Sequence, residues 1–298
     1  MEIVKCDMHV HSYFSGRCTT PVAGAFCRES YSDPEEVYET LARRHMDLFT
    51  LTDHDSIEGC EKLRRHPNFF LSEELTCRMP SGTQVHVGVY DFHDRQHAEL
   101  QERRNDLVAL LMYLTERKVF FSINHVFSNL TGRRERQDFA WIRSFFPAME
   151  TRNGYLLEES NEHAARLARC WGKIALGGSD AHGVLPAGTT FTEVPGARDK
   201  LEFFAGLKRG LGHVKGEGGC CGKLIRDILL LTLEMMREKA WTVALAPLAL
   251  LIPPAAYWHC RSERAFARRW AKEILGSPEA AERPRWAAMP QPAAEEWV

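Results

Sequence analysis

The chain has 298 residues, a net charge of −2 and a pI of about 6.7. That length is enough to bury a large core, as one barrel-sized domain or as a domain with an appendage. The near-neutral charge argues against a general nucleic-acid or polyanion binder. Nine cysteines, odd in number and scattered, do not read as a disulfide framework. No Cys-x-x-Cys pair exists, which argues against a zinc ribbon. The residues after Met1 lack the apolar core of a signal peptide, which predicts a cytoplasmic protein.

In chain order, the first predicted strand carries Cys6-Asp7-Met8-His9-Val10-His11. Alternation along extended backbone puts Asp7, His9 and His11 on one face and Cys6, Met8 and Val10 on the other. Two imidazoles at i and i+2 are spaced to share a metal ion, and a polar strand face is the competing reading. A polar loop follows to Ser32. Asp33-Pro34-Glu35-Glu36 starts a helix, with Asp33 as N-cap and proline in the first turn. Asp47–Thr52 reads as a buried strand that ends in Thr52-Asp53-His54-Asp55. Phe69-Phe70-Leu71 leads into Glu73-Glu74, and 84–92 alternates with His86 opposite Val85, Val87 and Val89.

A long helix is predicted from about His97 to Arg117, then a strand over Val119–Ile123 that ends in Asn124-His125. Ala148-Met149-Glu150 precedes Arg152-Asn153-Gly154. A helix spans 158–171, and a short strand over 173–176 closes on Gly177-Gly178-Ser179-Asp180-Ala181-His182. A helix near 199–209 completes the repeat. Strands alternating with helices imply an α/β fold. Ionisable residues recur at the carboxyl ends of the strands, which in a (β/α) barrel form the active face.

The character changes at about Gly216. A glycine-rich junction leads to a helix over 223–239, then to 241–258, which carries no charged residue and is flanked by Lys239 and by Arg261, Arg264, Arg268 and Arg269. A membrane span needs about 20 apolar residues, and Pro247, Pro253 and Pro254 interrupt this one. Burial against the domain or a partner therefore ranks first, an interfacial membrane contact second and a span third. The tail from Gly276 is expected to be loosely ordered.

Taken in order, Asp7-Met8-His9-Val10-His11-Ser12, Thr52-Asp53-His54-Asp55, Glu74 with His86, Asn124-His125 and Gly178-Ser179-Asp180-Ala181-His182 resemble the motifs of the PHP (polymerase and histidinol phosphatase) superfamily. The resemblance covers residues 1–215, and stand-alone bacterial phosphoesterases are the most similar members. It implies a distorted (β/α)7 TIM-like barrel over 1–215, followed here by a helical, partly apolar extension over 216–298. It also implies two or three divalent metals, with Mn, Zn and Fe matching the donor types. By the same resemblance His9, His11, Glu74 and Asp180 hold the first metal. Glu74 bridges to a second held by His86 and His125, and His54 and His182 serve a third. Asp7 and Asp53 are expected to fix imidazole tautomers.

Only one of Glu73 and Glu74 can face inward from a strand, and the family spacing favours Glu74. His45, His66, His93, His97, His163, His213 and His259 fall outside the motifs and read as surface or packing residues. Many members supply an Asp or His to the third metal just after the first motif. Here Ser15-Gly16-Arg17 stands in that place, so Cys18, Glu29 or Asp33 substitutes, or the third site is weak or empty. Arg17 and Arg152 are candidate clamps for a substrate phosphate, because guanidinium matches phosphate oxygens.

The leading expectation is a metal-dependent phosphoesterase acting on a small phosphorylated substrate, without a stable nucleic-acid complex. A nuclease using the basic run Arg133-Arg134-Glu135-Arg136 is an alternative. A non-catalytic metal-binding module, tethered through 241–258 to a membrane surface or a protein, is another. Specificity would reside in the loops 18–32, 126–137 and 184–190.

Overall fold

The computed structural model describes residues 2–18 and 27–276. Among the described residues, eight strands form two sheets. The larger joins β2 (Ser72–Arg78), β3 (Gln84–Tyr90), β4 (Phe120–Ile123), β5 (Ala148–Asn153) and β6 (Ile174–Gly178) in that order. Its first two pairings are antiparallel and its last two parallel. The smaller is antiparallel, in the order β1 (Ile3–Cys6), β7 (Thr190–Pro195), β8 (His213–Gly216).

The α/β class stands, but the sheets do not close into a continuous barrel. The predicted strand over 47–52 is the missing stave. It makes only single bridges, Leu48 to Cys6 and Phe49 to Phe69. The chain beyond β1 likewise touches the far sheet edge at one bridge, Val10 to Ala181. Thr50 and Thr52 spend their hydroxyls on the carbonyls of Phe70 and Val10. Side chains thus supplement scattered backbone bonds, such as Thr52 N to Val10 O at 2.8 Å, where a full ladder is lacking.

Helix starts follow their local signals. In α1 (Pro34–Arg43), Asp33 accepts from Glu35 N at 2.9 Å. α2 (Glu58–Lys62) follows the Asp53 turn. The long helix expected over 97–117 is two helices, α3 (Asp94–Arg103) and α4 (Leu107–Glu116). Asp106 is the cause of the break, because its carboxylate caps the second helix at Ala109 N. α5 (Arg136–Phe145), α6 (Glu158–Trp171) and α7 (Lys200–Lys208) complete the set around the sheets. One hydrophobic cluster joins Val87, Ile123 and Met149 to Leu110, Ile142 and Leu167. A smaller one joins Val4, Met8, Leu176, Val194 and Phe203.

The C-terminal part is α8 (Cys221–Glu238), a 3-10 helix (Ala240–Leu251) and α9 (Ile252–Leu275). The distal half of α9 is anchored, with Ala267, Trp270 and Ile274 in the main core. A disulfide joins Cys221 to Cys260, a pairing that the scattered cysteines did not lead one to expect. The segment 241–258 is not buried against the domain as expected: Trp241 is 60% exposed, Leu250 81% and Trp258 74%. The tail expected to be loosely ordered lies, from 277 on, outside the described residues, as does 19–26 of the polar loop.

Candidate metal centre

His9 and His11 lie just past β1, on chain that stays extended because it is held from both sides. His9 O accepts from Asp180 N at 2.7 Å, and His11 N donates to Ala181 O at 3.0 Å. This approach is close enough that a Cβ on Gly178 would come within 2.4 Å of His9 N and Cβ. Glycine is the residue that permits it. Asp180 and His125 both sit in the left-handed region, at φ 51° and 54°, a conformation that non-glycine residues hold only when their surroundings enforce it. For His125 the enforcing contact is its backbone N–H to Glu150 Oε2, 3.1 Å.

Glu74 on β2 is the hub, with no exposed surface. Its Oε2 faces His9 Nε2 at 3.1 Å, His54 Nδ1 at 3.3 Å and His11 Nε2 at 3.5 Å. Its Oε1 faces His125 Nε2 at 3.2 Å and His86 Nδ1 at 3.5 Å, and accepts from Asn124 Nδ2 at 2.9 Å. Asp180 Oδ1 lies 3.2 Å from His11 Nε2 and 3.4 Å from His9 Nε2. Adjacent Glu73 points the other way, to His97 Nδ1 at 3.0 Å and Gln101 Nε2 at 2.8 Å.

The donors fall into four overlapping groups spaced to hold a metal ion: His9, His11 and Glu74; His9, His125 and Asp180; His54, Glu74 and His86; and His11, His54 and His182. Beyond the expected sets, His125 also groups with His9 and Asp180, and His54 with Glu74 and His86. All eight expected ligands converge.

The donor set fits divalent cations. His9 Nε2 and His11 Nε2 face each other at 3.0 Å. Among the described residues, the buried atoms His54 Nδ1, His86 Nδ1 and His182 Nε2 have no hydrogen-bond partner. Buried imidazole nitrogens left without partners are costly unless something else is coordinated there. Several outer ring nitrogens are meanwhile secured, as metal-ligating imidazoles require. Glu150 Oε1 takes His9 Nδ1 at 2.8 Å, Ser15 Oγ takes His11 Nδ1 at 3.0 Å, and Asp180 O takes His182 Nδ1 at 3.0 Å. Each contact leaves Nε2 to the centre.

The charges are mutually dependent. Burial opposes ionisation of Glu74, but His9, His86 and His54 hold its carboxyl well below the usual range. Burial lowers His9, and the carboxylates of Glu74, Asp180 and Glu150 more than reverse this, raising it well above its ordinary value. His125 is lifted to about 10 and His182 to about 9 by neighbouring carboxylates against the same burial. His54, with less carboxylate help, is pushed well down by burial.

A family model described as PHP-associated matches residues 158–210, running from α6 to the end of α7, just beyond the Asp180 and His182 loop. Over that segment the chain is similar to PHP-associated proteins, in keeping with the resemblance of its ordered motifs to the PHP superfamily. Among solved structures, PsfC from Pseudomonas syringae PB-5123 shares the fold, with a TM-score of 0.54 at 17% identity over 80% of this chain and 99% of that one. A protein from Bifidobacterium adolescentis ATCC 15703, described as a putative metal-dependent phosphoesterase, gives a TM-score of 0.40 at 13% identity over 59% of this chain and 87% of its own, a likeness too slight to bear on function. No curated protein matches the sequence.

Three expectations are revised, those for Asp7, Asp53 and Arg152. Asp7 touches no imidazole. It accepts from Ser179 N and Oγ at 2.8 and 2.5 Å, Gly188 N at 2.7 Å and His9 N at 3.2 Å, and so fixes backbone. Burial pushes its carboxyl up to about 6 despite those bonds. Asp53 reaches an imidazole only through a hydroxyl: Ser15 Oγ donates to it at 2.8 Å and accepts from His11. Arg152 is not turned to the centre, because its guanidinium pairs with Glu158 at 2.7 and 3.0 Å and with Gly216 O. Arg17 is exposed on an antiparallel bridge with Arg28.

Of the substitutes considered for the loop after Ser15, Glu29 comes nearest, with Oε1 3.4 Å from His182 Nε2. Asp33 is occupied as the α1 cap.

Glu150 and Asn153 were not singled out from sequence. A register shift in β5 between Glu150 and Arg152 lets residues three apart face one site. Asn153 Nδ2 reaches Glu150 at 3.1 Å and Asp180 Oδ2 at 3.0 Å, and lies 3.2 Å from His125 Nδ1. The signal available was a run of polar residues, Glu150 to Asn153, closing a strand that is buried at all but Arg152.

Proposed function

We propose that the protein is a metal-dependent phosphoesterase that hydrolyses a small phosphorylated metabolite. The observation that carries this reading is Glu74, whose two oxygens face different sets of imidazoles, as a carboxylate shared by two cations must. His9, His11, Glu74, Asp180, His125, His86, His54 and His182 would hold two or three Mn, Zn or Fe ions. When bound, paired divalent cations polarise phosphoryl oxygens, lower the pKa of a water and stabilise the leaving oxygen.

The chain's own residues supply the frame. Glu150 and Ser15 lock the tautomers of His9 and His11. Asp7 and Asp53 pin the turns that carry the ligands. Asn153 ties His125 to Asp180. The mouth lies on the side of His54 and His182, whose side chains are 12% and 16% exposed, against 2% for His9 and 0% for Glu74. Glu29 flanks that mouth and is our candidate for the missing third-site ligand. Residues 1–215 act as the catalytic unit, and 216–298 as an extension that braces it. Glu263 Oε1 accepts from Asn129 N at 2.9 Å, four residues beyond His125.

The basic run of the nuclease reading keeps Arg133 and Arg136 exposed but loses Arg134. Arg134 is 6% exposed and donates to Gln84 O at 2.8 Å and to Thr131 Oγ1 at 2.7 Å, so it braces the loop from inside. The test is a panel of phosphomonoesters against protein stripped of metal and reloaded with Mn, Zn or Fe, with bound metal measured in parallel. Phosphate release that needs metal and vanishes in His9→Ala supports the reading. Equal release by stripped protein, or by His9→Ala, would refute it.

A further inference from the structure

Outside the centre, the largest departure from ordinary packing is the 3-10 helix Ala240–Leu251 and the first turns of α9. Leu248, Leu250, Leu251, Tyr257, Trp241 and Trp258 are each more than half exposed. Residues 240–258 hold no Asp, Glu, Lys or Arg, and the helical stretch Ala240–Leu275 contains an 18-residue window of mean hydropathy 1.5, long and apolar enough by composition to cross a membrane. Contiguous apolar surface of this kind marks an interaction site. We infer that this face docks on the surface of an anionic phospholipid bilayer, lying in the interface without crossing it.

Three observations select this occupant. The first is anchoring. Two residues after Trp258, Cys260 is bonded to Cys221. At 263 the Glu263 carboxylate holds Asn129, and at 267–274 the helix is part of the main core. A span would have to tear these contacts out, whereas an interfacial contact uses only side chains that already point outward.

The second is chemistry. Trp241, Tyr257 and Trp258 accompany the leucines, and indole and phenol rings favour the boundary between headgroup and acyl chain.

The third is charge. The apolar run passes directly into an exposed row on α9, Arg261, Arg264, Arg268 and Arg269, while Glu263 within that row is 3% exposed and turned inward. Arg268 pairs with Glu159, which leaves the row net positive. A symmetric pair of chains meeting through this face would set arginine against arginine. Anionic headgroups answer both the charge and the apolar surface, and basic residues beside a bilayer add to binding individually.

The test uses the full-length protein and flotation with vesicles, either phosphatidylcholine alone or phosphatidylcholine with 30% phosphatidylglycerol, in about 0.1 M salt. The protein is expected to float with the anionic vesicles, to float less with the neutral ones, and to show tryptophan quenching by brominated acyl chains. Leu250→Glu/Trp258→Glu should abolish flotation. Arg261→Glu/Arg264→Glu should weaken partitioning roughly 30-fold while leaving the apolar face in place. These side chains are exposed, and metal content equal to wild type would verify that the variants are folded. Three results would overturn the inference: no flotation of the wild type, flotation unchanged by Leu250→Glu/Trp258→Glu, or a vesicle-indifferent dimer that those substitutions dissociate.

Discussion

The metal centre and the C-terminal helical hairpin depart from ordinary protein packing in opposite senses. In the first, Glu74, Asp180, Glu150 and six imidazoles are drawn into the interior or its margin, several with no exposed surface. In the second, tryptophan and leucine side chains stand in solvent. Burying charge and exposing apolar surface both cost stability unless something compensates. In the centre the compensation is partly internal, since imidazole and carboxylate answer each other. On the hairpin the described residues leave most of that apolar surface exposed. The comparison teaches that the two regions should respond differently to the same kind of substitution. In the centre, loss of one group disturbs its neighbours; on the hairpin, replacing a side chain affects only what docks there.

The sharpest way to break this contrast is Glu74→Gln. With the bridging charge gone, metal content should fall and turnover drop by about 10³-fold or more, measured by elemental analysis and phosphate release. A fully active, fully loaded variant would remove the hub from the argument. Gly178→Ala tests the approach of β6 to the His9 segment. The added Cβ meets backbone, so a loss of about 1–3 kcal/mol in urea denaturation is expected, together with weaker metal binding.

Glu150→Gln should reduce metal affinity by about 10- to 100-fold, because the His9 ring loses its charged partner. Arg152→Ala, two residues along the same strand, should cost under about 1 kcal/mol and leave turnover within roughly twofold, since it breaks a partly exposed ion pair. If the two variants exchanged these phenotypes, the assigned facing of β5 would be wrong.

Proton competition gives a graded test. His125 and His182, raised to about 10 and about 9, are protonated at neutral pH in the metal-free chain. That protonation contributes stability fully below about pH 6.5, and the contribution is lost as pH rises through 9 and 10. Metal binding requires the neutral rings, so metal affinity should rise over the same interval in which the metal-free protein loses stability. Calorimetric titration between pH 6.5 and 9 reads the sign, and a flat profile would contradict the coupling. The smallest effect belongs to the hairpin: without lipid, Leu250→Glu should shift stability by no more than about 0.5 kcal/mol.

Local chemistry decided much of this protein in advance. Helix starts at Asp33 and Asp199 were readable because a cap acts within three residues of itself. The eight candidate ligands were readable because motif order survives in a linear chain, strand alternation allowed only one of Glu73 and Glu74 to face inward, and the family spacing chose Glu74. The break at Asp106 was also local, and a closer reading of that cap would have found it.

Contacts between distant segments decided the rest. Whether 47–52 becomes a full strand depends on ladders with neighbours 40 residues away, and hydrophobicity alone does not supply them. Glu150 and Asn153 became site residues through a bulge, which shifts register without a composition signal. Arg152 was turned outward by Glu158 and Gly216, and Cys221 found Cys260 across a separation of 39 residues. The exposure of 241–258 was likewise invisible in composition, since the same apolar run suits a buried helix or a surface. The anchoring of α9 in the core fixed which side of that run faces outward.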